Sequence, residues 1–528
     1  MNLFSESLVL DVVALVTGLL LLLIYLYFQR QYNYWKRRGV PCAESSIPFG
    51  NFARCLFQKE CVGTFLQRLY REGSGNRFFG FYILDRPAIL IRDTELIRQI
   101  LVKDFTYFFD RHVHSNSKTD PLSNNLFLLR GAPWRYLRFK LTPTFTTFRM
   151  KRMLPFISTC ASQLTDYLKN VAILDKPIEV KQTIAKYATD VISTCAFGIE
   201  SNCLVNPKAE FQEFSSKIFH FSTYRSFEFM SLFMLPMVVQ LMNVKFFQRQ
   251  TTEFLRQVFT DTMTQREKQE IVREDFMDLL IQLKNKGRVD DEKIEEELEK
   301  IQEMNGISDE KIDFEFKGNN LVAQAAIFFA AGYESNASTT SFTLYELAMQ
   351  PQLQERLRRE ILTVLDKVNG QISYEAIKSM EYLHMVVSET LRKYPPLPFL
   401  DRIATKDYKI PGTNVVIEKG TSLYISLLGI HMDEEVFPDP DKYDPERFSE
   451  KGKRSWNSAY YIPFGEGPRY CIGRRFGMLA AKMGVLTVIS NFQVSPCAET
   501  PNPLILNPKA LLLASKGGIP LKFSKIQK

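Results

Sequence analysis

The sequence predicts a mainly α-helical protein with a small β part, behind a single N-terminal transmembrane helix. Three observations support this prediction: one long apolar run near the N-terminus, helical periodicity in most windows after residue 90, and two strand-like stretches. The helical windows are residues 94–101, 158–172, 252–269, 319–349 and 352–368. Residues 77–84 and 88–92 are expected to form one hairpin and residues 408–425 a second, in which Pro411-Gly412 and Lys419-Gly420 supply turns.

The apolar run covers residues 8–28 and contains one charged residue, Asp11. As a helix it would be roughly 30 Å long, the thickness of the hydrocarbon core of a bilayer. A cleaved signal peptide is the alternative, but no small-residue cleavage site follows the run. The run is followed by four basic residues, Arg30, Lys36, Arg37 and Arg38. This positive flank places the rest of the chain in the cytosol.

The composition excludes several functional classes. A formal net charge of +8 over 528 residues is too small to indicate nucleic-acid binding, and it suits weak attraction to anionic membranes or acidic proteins. The eight cysteines form no CxxC pair, which argues against a structural zinc site, and their dispersal indicates a reducing compartment. The 42 phenylalanines fit either an apolar ligand pocket or a phenylalanine-rich core.

One cysteine has an unusual setting. Cys471 lies in the pattern Phe464-Gly465-x-Gly467-x-Arg469-x-Cys471-x-Gly473, and a helical pattern follows Gly473. Glycines let a backbone approach another group closely, and the N–H groups at a helix N-terminus favour a thiolate. An axial haem ligand needs these properties. A packed cysteine in a glycine-rich turn is the alternative for such a stretch.

The loop resembles the haem-binding loop of cytochrome P-450 proteins, which are haem-thiolate monooxygenases. The resemblance implies that Cys471 is the proximal ligand of the iron in haem b, iron protoporphyrin IX. It also implies that Arg469 pairs with a haem propionate, that Phe464 packs near the sulfur and that Gly473 belongs to the cofactor-binding loop.

The stretch AAGYESNASTT, residues 330–340, resembles the dioxygen-activating helix of the same family. It matches with Ala331, Gly332 and Glu334, and it departs where Ser335 replaces threonine. Gly332 can loosen the helix and leave room for a small ligand, while Glu334 and Ser335 pass protons to it. Serine keeps the hydroxyl but lacks the methyl that restricts its rotamer. A kinked core helix with a solvated glutamate is the alternative.

Further motifs of the family follow in the expected order. Glu389 and Arg392 form ExxR, and Arg447 lies in PERF, which implies a structural ion network on the haem side of the core. Trp134 and Arg138 share a helix face at i, i+4 and are implied to contact the haem propionates, as are Arg111 and Arg402. Pocket walls are expected in residues 112–127, 211–242, 327–335 and 397–402.

The resemblance covers nearly the whole chain and implies the cytochrome P-450 fold. It divides the chain into a membrane anchor (1–29), a basic and Pro/Gly-containing linker (30–51) and a haem-binding catalytic domain (52–528). Several stretches, such as DPLSNNLF and GIHMDEEVFPDP, resemble the microsomal insect enzymes that oxidise foreign chemicals.

The implied reaction inserts one oxygen atom from dioxygen into a lipophilic xenobiotic, hormone or lipid. The chain contains no GxGxxG that opens a βαβ unit, so electrons must come from a partner. The resemblance implies an NADPH-dependent flavoprotein reductase, with cytochrome b5 as a second donor. It also implies the endoplasmic reticulum membrane, with the catalytic domain facing the cytosol. The alternatives are a haem-thiolate isomerase, a non-catalytic haem-binding sensor and a cofactor-free structural protein.

Overall fold

Long helices dominate because apolar residues recur every three or four positions along most of the chain. The structure, a computed structural model, describes residues 3–206, 208–219, 222–287 and 314–526. Within these ranges the helices are α1 (Leu3–Tyr32), α2 (Tyr34–Arg37), α3 (Ala53–Leu56), α4 (Val62–Glu72), α5 (Thr94–Arg98), α6 (Gly131–Leu141), α7 (Thr147–Leu174), α8 (Val180–Ala196), α9 (Glu210–Ile218), α10 (Thr223–Met234), α11 (Pro236–Met242), α12 (Arg249–Gln269), α13 (Phe276–Lys286), α14 (Asn319–Met349), α15 (Pro351–Lys367), α16 (Tyr374–Ser379), α17 (Glu381–Lys393), α18 (Leu427–His431), α19 (Glu450–Lys453) and α20 (Arg474–Asn491).

The strands form three small sheets. The strands are β1 (Phe78–Ile83), β2 (Arg86–Ile91), β3 (Ile178–Glu179), β4 (Phe399–Ile403), β5 (Tyr408–Lys409), β6 (Val416–Ile417), β7 (Ser422–Ser426), β8 (Phe492–Pro496) and β9 (Pro520–Lys525). The largest sheet has the order β1-β2-β7-β4, in which β1 and β2 form the first predicted hairpin. The other sheets are β3-β9-β8 and β5-β6.

The second predicted hairpin, residues 408–425, is divided between two sheets. β5 pairs with β6 across the Pro411-Gly412 turn, as predicted. β7 leaves this pair and joins the largest sheet, where it runs parallel to β2 and antiparallel to β4. Turn residues indicate where a strand ends, but they carry no information about a distant partner strand.

The core is arranged around α14. This helix is 31 residues long and almost entirely buried from Leu321 onward, because it carries apolar or small polar side chains on all sides. It packs against α8 on one side and against α20, which follows the Cys471 loop, on another. Three segments far apart in the sequence, α8, α14 and α20, therefore meet in the core.

Helix α1 projects from this body. Its segment Leu8–Tyr32 has a mean hydropathy of 2.6, and its most apolar 18-residue stretch has no buried residue. The segment is long and apolar enough to cross a membrane, although a signal sequence shares these properties. The Tyr27 hydroxyl donates to Asp85 (2.7 Å), and the side chain of Trp35 is wholly buried. Residues 42 and 50 bridge to β1. Residues of the predicted linker, 30–51, thus pack against the first sheet, and the proposed domain division remains a prediction.

The contact between the linker and β1 depends on Gly80. A Cβ at this position would lie 2.6 Å from Cγ of Trp35. We expect Gly80→Ala to lower the free energy of unfolding by about 1–3 kcal/mol, as overpacked cores usually do. Thermal unfolding in detergent measures this. Gly517→Ala is the control, because nothing lies within 4 Å of its new Cβ. Equal melting temperatures for the two variants would contradict the packing described.

Candidate active site

A cavity of about 340 Å³ lies between α14 and the Cys471 loop. Its walls are strongly aromatic, and its side chains come from elements far apart in the sequence, including α6, α8, α10 and α14. The phenylalanines that line it are Phe127, Phe145, Phe219, Phe229, Phe233, Phe246, Phe276, Phe328, Phe464 and Phe476. A cavity of this kind is suited to a large apolar ligand.

The Cys471 loop is held tightly by its backbone. The amide of Cys471 donates to the carbonyl of Phe464 (2.8 Å), and Gly465 and Gly467 have φ values of 72° and 71°, which favour glycine. A Cβ at Gly467 would lie 1.8 Å from the carbonyl oxygen of Leu101. The loop therefore needs glycine at position 467 both for its backbone angle and for its close approach to the neighbouring turn.

Cys471 borders the cavity. Burial raises its pKa, against the lowering effects of the Gly473 backbone N–H and of Arg138, Arg111 and Arg474. We predicted that the helix N-terminus would favour a thiolate. In the protein alone burial outweighs that effect, because the low-dielectric interior disfavours the charged form.

Buried arginines gather at the same end of the cavity. Arg138, on α6, stacks on Tyr470 at 4.5 Å, and Arg469 stacks on Trp134 at 3.9 Å. Burial lowers the pKa of both guanidinium groups, and it lowers the pKa of Arg402 to about 9. The side-chain atoms Nε and Nη2 of Arg138, Nη1 of Arg469 and Nε of Arg402 are buried without a hydrogen-bond partner in the described chain.

Two carboxylates partly compensate this charge. Asp401 pairs with Arg111 at 3.0 Å, and Asp110 lies 3.5 Å from Arg469. Burial raises the pKa of Asp401, but Arg111 opposes it and the net shift is downward, so the carboxylate is charged. Four guanidinium groups against two carboxylates leave two positive charges in excess at this end of the cavity. A ligand with two negative charges would balance them.

Helix α14 presents two different faces near the cavity. Gly332, Ser335 and Thr339 line the cavity, and the Ser335 hydroxyl donates to the carbonyl of Ala331 (2.6 Å). Glu334 is buried on another face, where its Oε1 accepts from Lys181 Nζ (2.7 Å). Lys181 also donates to the Ser338 hydroxyl (2.7 Å). The acid and the hydroxyl of the predicted pair thus lie on neighbouring faces of one helix.

We expected Gly332 to loosen α14, but the helix is continuous through this position. A Cβ at Gly332 would lie 2.6 Å from Cδ1 of Ile192. The glycine therefore allows α8 to approach α14 closely.

The predicted ion network is assembled away from the cavity. Arg392 contacts Glu389 through two hydrogen bonds, of 2.7 and 2.8 Å, and both side chains are completely buried. Arg447 joins them at 3.5 Å from Glu389. Burial raises the pKa of Glu389, and Arg392 opposes this shift.

Comparison with known proteins identifies the family. The sequence model of the family described as "Cytochrome P450" matches residues 55–522. This chain belongs to the cytochrome P450 family. Cytochrome P450 6k1 of Blattella germanica is 53% identical over 513 residues, which cover 97% of this chain and 96% of that protein. Cytochrome P450 6a2 of Drosophila melanogaster is 40% identical over 516 residues, covering 96% and 97%.

The family assignment confirms three predictions. The fold is the mainly α-helical cytochrome P450 fold with a small β part, and the resemblance to insect enzymes holds. The chain is a cytochrome P450 monooxygenase, and the family implies a haem with a cysteine thiolate ligand.

The cavity fits this group. Haem is flat and apolar with two carboxylates at one edge, and the cavity combines aromatic walls, the Cys471 thiol and two excess positive charges beside unpartnered guanidinium atoms. Of the predicted cofactor residues, seven line the cavity: Arg111, Trp134, Arg138, Phe464, Arg469, Cys471 and Gly473. Arg402 is not among the lining residues, but it is buried beside them.

Several residues of the site escaped the sequence analysis. Asp401 adjoins Arg402 in the sequence and could have been suspected from that position. Lys181 lies 153 residues before Glu334, and no local pattern connects the two. His431, which contacts the backbone just before the Cys471 loop, was equally unmarked.

The close approach of the Cys471 loop can be tested at two glycines. Gly467→Ala and Gly465→Ala share a left-handed backbone penalty of about 1–2 kcal/mol. Only the Cβ at position 467 also collides with backbone, since the nearest atom at position 465 is 3.7 Å away. We expect Gly467→Ala to lose most of its haem, measured by absorbance per mole of purified protein, and Gly465→Ala to retain most. Similar haem contents would contradict this role of Gly467.

Proposed function

We propose that this cytochrome P450 is a membrane-anchored monooxygenase that inserts one oxygen atom from dioxygen into uncharged, lipophilic small molecules, including xenobiotics. Its electrons come from NADPH through a separate flavoprotein reductase. The observation that carries the proposal is the position of the Cys471 thiol in an aromatic cavity, beside two excess positive charges.

Cys471 would bind the iron of haem b through its thiolate. Bound haem supplies the activation of dioxygen, and a thiolate ligand favours O–O cleavage. Arg138, Arg402 and Arg469 offer their unpartnered atoms to its two carboxylates. The ring of Trp134 stacks against Arg469, with the guanidinium carbon 3.9 Å from the ring centroid.

Glu334 and Ser335 are the proposed proton-handling residues. Glu334 is buried on the face of α14 that meets Lys181, and the side chain of Lys181 is 26% exposed to solvent. A proton taken up by the Glu334 carboxylate weakens its attraction to Lys181, and the acid then delivers the proton through water to the Ser335 hydroxyl in the cavity.

The substrate is expected to be uncharged. The cavity wall includes Phe127 and Phe233, whose ring centroids are 6.1 Å apart, and Phe219 and Phe229, which stack at 5.7 Å. Burying a charged substrate against such a wall would be costly. The charged side chains that line the cavity, Arg111, Arg138 and Arg469, belong to the cluster beside Cys471.

Basic residues near the Cys471 loop support docking of an acidic electron donor. Arg474 and Arg475, at the start of α20, are exposed. The sequence also offers Arg135, Lys140, Arg149, Lys151 and Arg152 for such a face. Arg149 is buried, and Lys151 and Arg152 pair with Glu375 and Glu274. The exposed Arg474 and Arg475 are the proposed docking residues for the reductase, and for cytochrome b5 as a second donor.

Two features support residence on the cytosolic side of the endoplasmic reticulum membrane: the N-terminal anchor helix and the exposed apolar side chains of α11. In the apolar stretch 227–247, residues 229–235 belong to the core. Helix α11 exposes Met237, Leu241 and Met242. Only this exposed part of the stretch is available to contact lipid.

The reduced, carbon-monoxide-treated protein tests the central assignment. We expect the Soret band that is typical of thiolate ligation in the wild type and its loss in Cys471→Ala. Cys195→Ala is the control, because Cys195 is a second cysteine whose side chain borders the cavity. If the Cys471→Ala protein kept the band, or if the wild type lacked it, the proposed function would be wrong.

Ser335 is tested by the peroxide released per NADPH consumed. Ser335→Thr restricts the hydroxyl rotamer, and we expect it to lower the release by roughly half. Ser335→Ala removes the hydroxyl and raises the release several-fold. Thr339→Ser is the control, because it removes a methyl group one turn further along the same cavity face. Unchanged release in both Ser335 variants would remove Ser335 from the proton path.

A further inference from the structure

His431 is a buried histidine that the proposed mechanism does not use. It is the last residue of α18, and its side chain is completely buried. Its Nε2 atom accepts a hydrogen bond from the backbone amide of Ile462, at 3.3 Å. Its ring lies beside that of Tyr461, with the centroids 5.5 Å apart. Ile462 is the residue immediately before the Pro463–Gly477 segment that contains Cys471.

The hydrogen bond fixes the tautomer of the ring. A backbone N–H can only donate, so Nε2 must be unprotonated and the single proton must lie on Nδ1. Burial and the nearby Arg392 lower the pKa of His431 to about 3, which is consistent with a neutral ring. Nδ1 has no hydrogen-bond partner in the described chain.

A buried N–H without a partner is destabilising. If His431 only filled space, phenylalanine would fill a similar volume without that cost. The histidine must therefore provide a group that an apolar ring lacks. That group is the acceptor atom Nε2, which binds the Ile462 amide.

The backbone on one side of this contact leads to the Glu389–Arg392 pair, and the backbone on the other side leads to Cys471. The carbonyl of His431 accepts from Arg392 Nη1 at 2.7 Å, so α18 is attached to the buried Glu389–Arg392 pair. The carbonyl of Ile462 accepts from the amide of Gly465 (2.9 Å), and the carbonyl of Phe464 accepts from the amide of Cys471 (2.8 Å). A continuous series of hydrogen bonds and short backbone segments thus joins the ion network to the cysteine.

We propose that His431 is a positioning residue for the Cys471 loop: by accepting the Ile462 amide, its Nε2 atom holds the start of the loop at a fixed place relative to the Glu389–Arg392–Arg447 network. The proposal rests on the proposed role of Cys471 as the axial ligand. It also gives the buried ion network a specific connection to the site, because Arg392 holds the backbone of the residue that holds the loop.

Two substitutions of His431 distinguish the contribution of its acceptor atom from the contribution of its volume. His431→Phe keeps most of the volume and removes the acceptor. His431→Gln is less similar in shape, but its side-chain oxygen reaches the place of Nε2 and can accept the same amide. The full-length haem-loaded proteins are compared by hydrogen–deuterium exchange of the peptide that covers residues 462–471, and by the Soret band of the reduced carbon-monoxide complex.

We expect His431→Phe to exchange about tenfold faster in this peptide, as loss of one buried hydrogen bond would produce, and to lose part of the thiolate-type band. His431→Gln is expected to resemble the wild type in both measurements. Tyr345→Phe is the control, because it removes one hydrogen bond, from Tyr345 to the Pro501 carbonyl at 2.9 Å, far along the sequence from the loop. It should leave the peptide and the band unchanged.

Wild-type behaviour in His431→Phe would overturn the proposal, and so would equal losses in the Phe and Gln variants, which would show that only the imidazole shape matters. If neither variant folds, exchange of the Ile462 amide in the wild-type protein decides: strong protection supports the bond, and rapid exchange refutes it. These results are independent of Cys471→Ala. Retention of the thiolate-type band in that variant would refute the proposed ligand itself, whatever the loop peptide showed.

Discussion

Four guanidinium groups meet two carboxylates at one end of the cavity, and burial prevents water from screening the difference. An uncompensated charge in a low-dielectric interior is strongly destabilising, so this end of the molecule is incomplete without an anion. In the proposed haem complex, the two carboxylates of the haem would supply this charge. This requirement explains why α6, the β4 strand and the Cys471 loop converge there, since each contributes one of the arginines Arg138, Arg402 and Arg469.

The cost of burying an unpaired charge also accounts for the arrangement around α14. The helix borders the cavity with one face and a polar cluster with a neighbouring face, so that Ser335 lines the cavity while Glu334 pairs with Lys181. The two faces are about 100° apart, as neighbouring residues on a helix must be. An acid that remained inside the aromatic cavity would be buried without a partner. Pairing with a partly exposed lysine gives this buried acid a hydrogen-bond partner and a connection to solvent.

Around these two features, the rest of the fold acts as a support. The Glu389–Arg392 pair is fully buried and does not border the cavity, so it contributes through the backbone that it holds. Arg392 reaches the His431 carbonyl, and His431 reaches the Ile462 amide at the start of the loop. The position of the cysteine therefore depends on contacts several residues away from the sulfur, and Gly467 adds a second constraint at the Leu101 carbonyl.

Several elements of the fold and of the site were predictable from local sequence patterns. The apolar run, the 319–349 helix, the 77–92 hairpin and the glycine-rich cysteine loop are set by short-range periodicity and turn chemistry, which a sequence displays directly. The partner of β7 was predicted wrongly, because strand pairing depends on residues far away in the chain. The packing of residues 30–51 against β1 was not foreseen for the same reason.

The sequence by itself determined the family of chemistry: Cys471 with its neighbouring glycines and Arg469, the ExxR and PERF motifs, and the acid–hydroxyl pair Glu334-Ser335 each occupy a short window. Only the tertiary structure decided which charges meet. Lys181 with Glu334, Asp401 with Arg111 and His431 with Ile462 are separated by 153, 290 and 31 residues, so folding alone brings them together. Electrostatic and hydrogen-bond energies depend on distance and burial in space, and neither quantity is written in the order of residues.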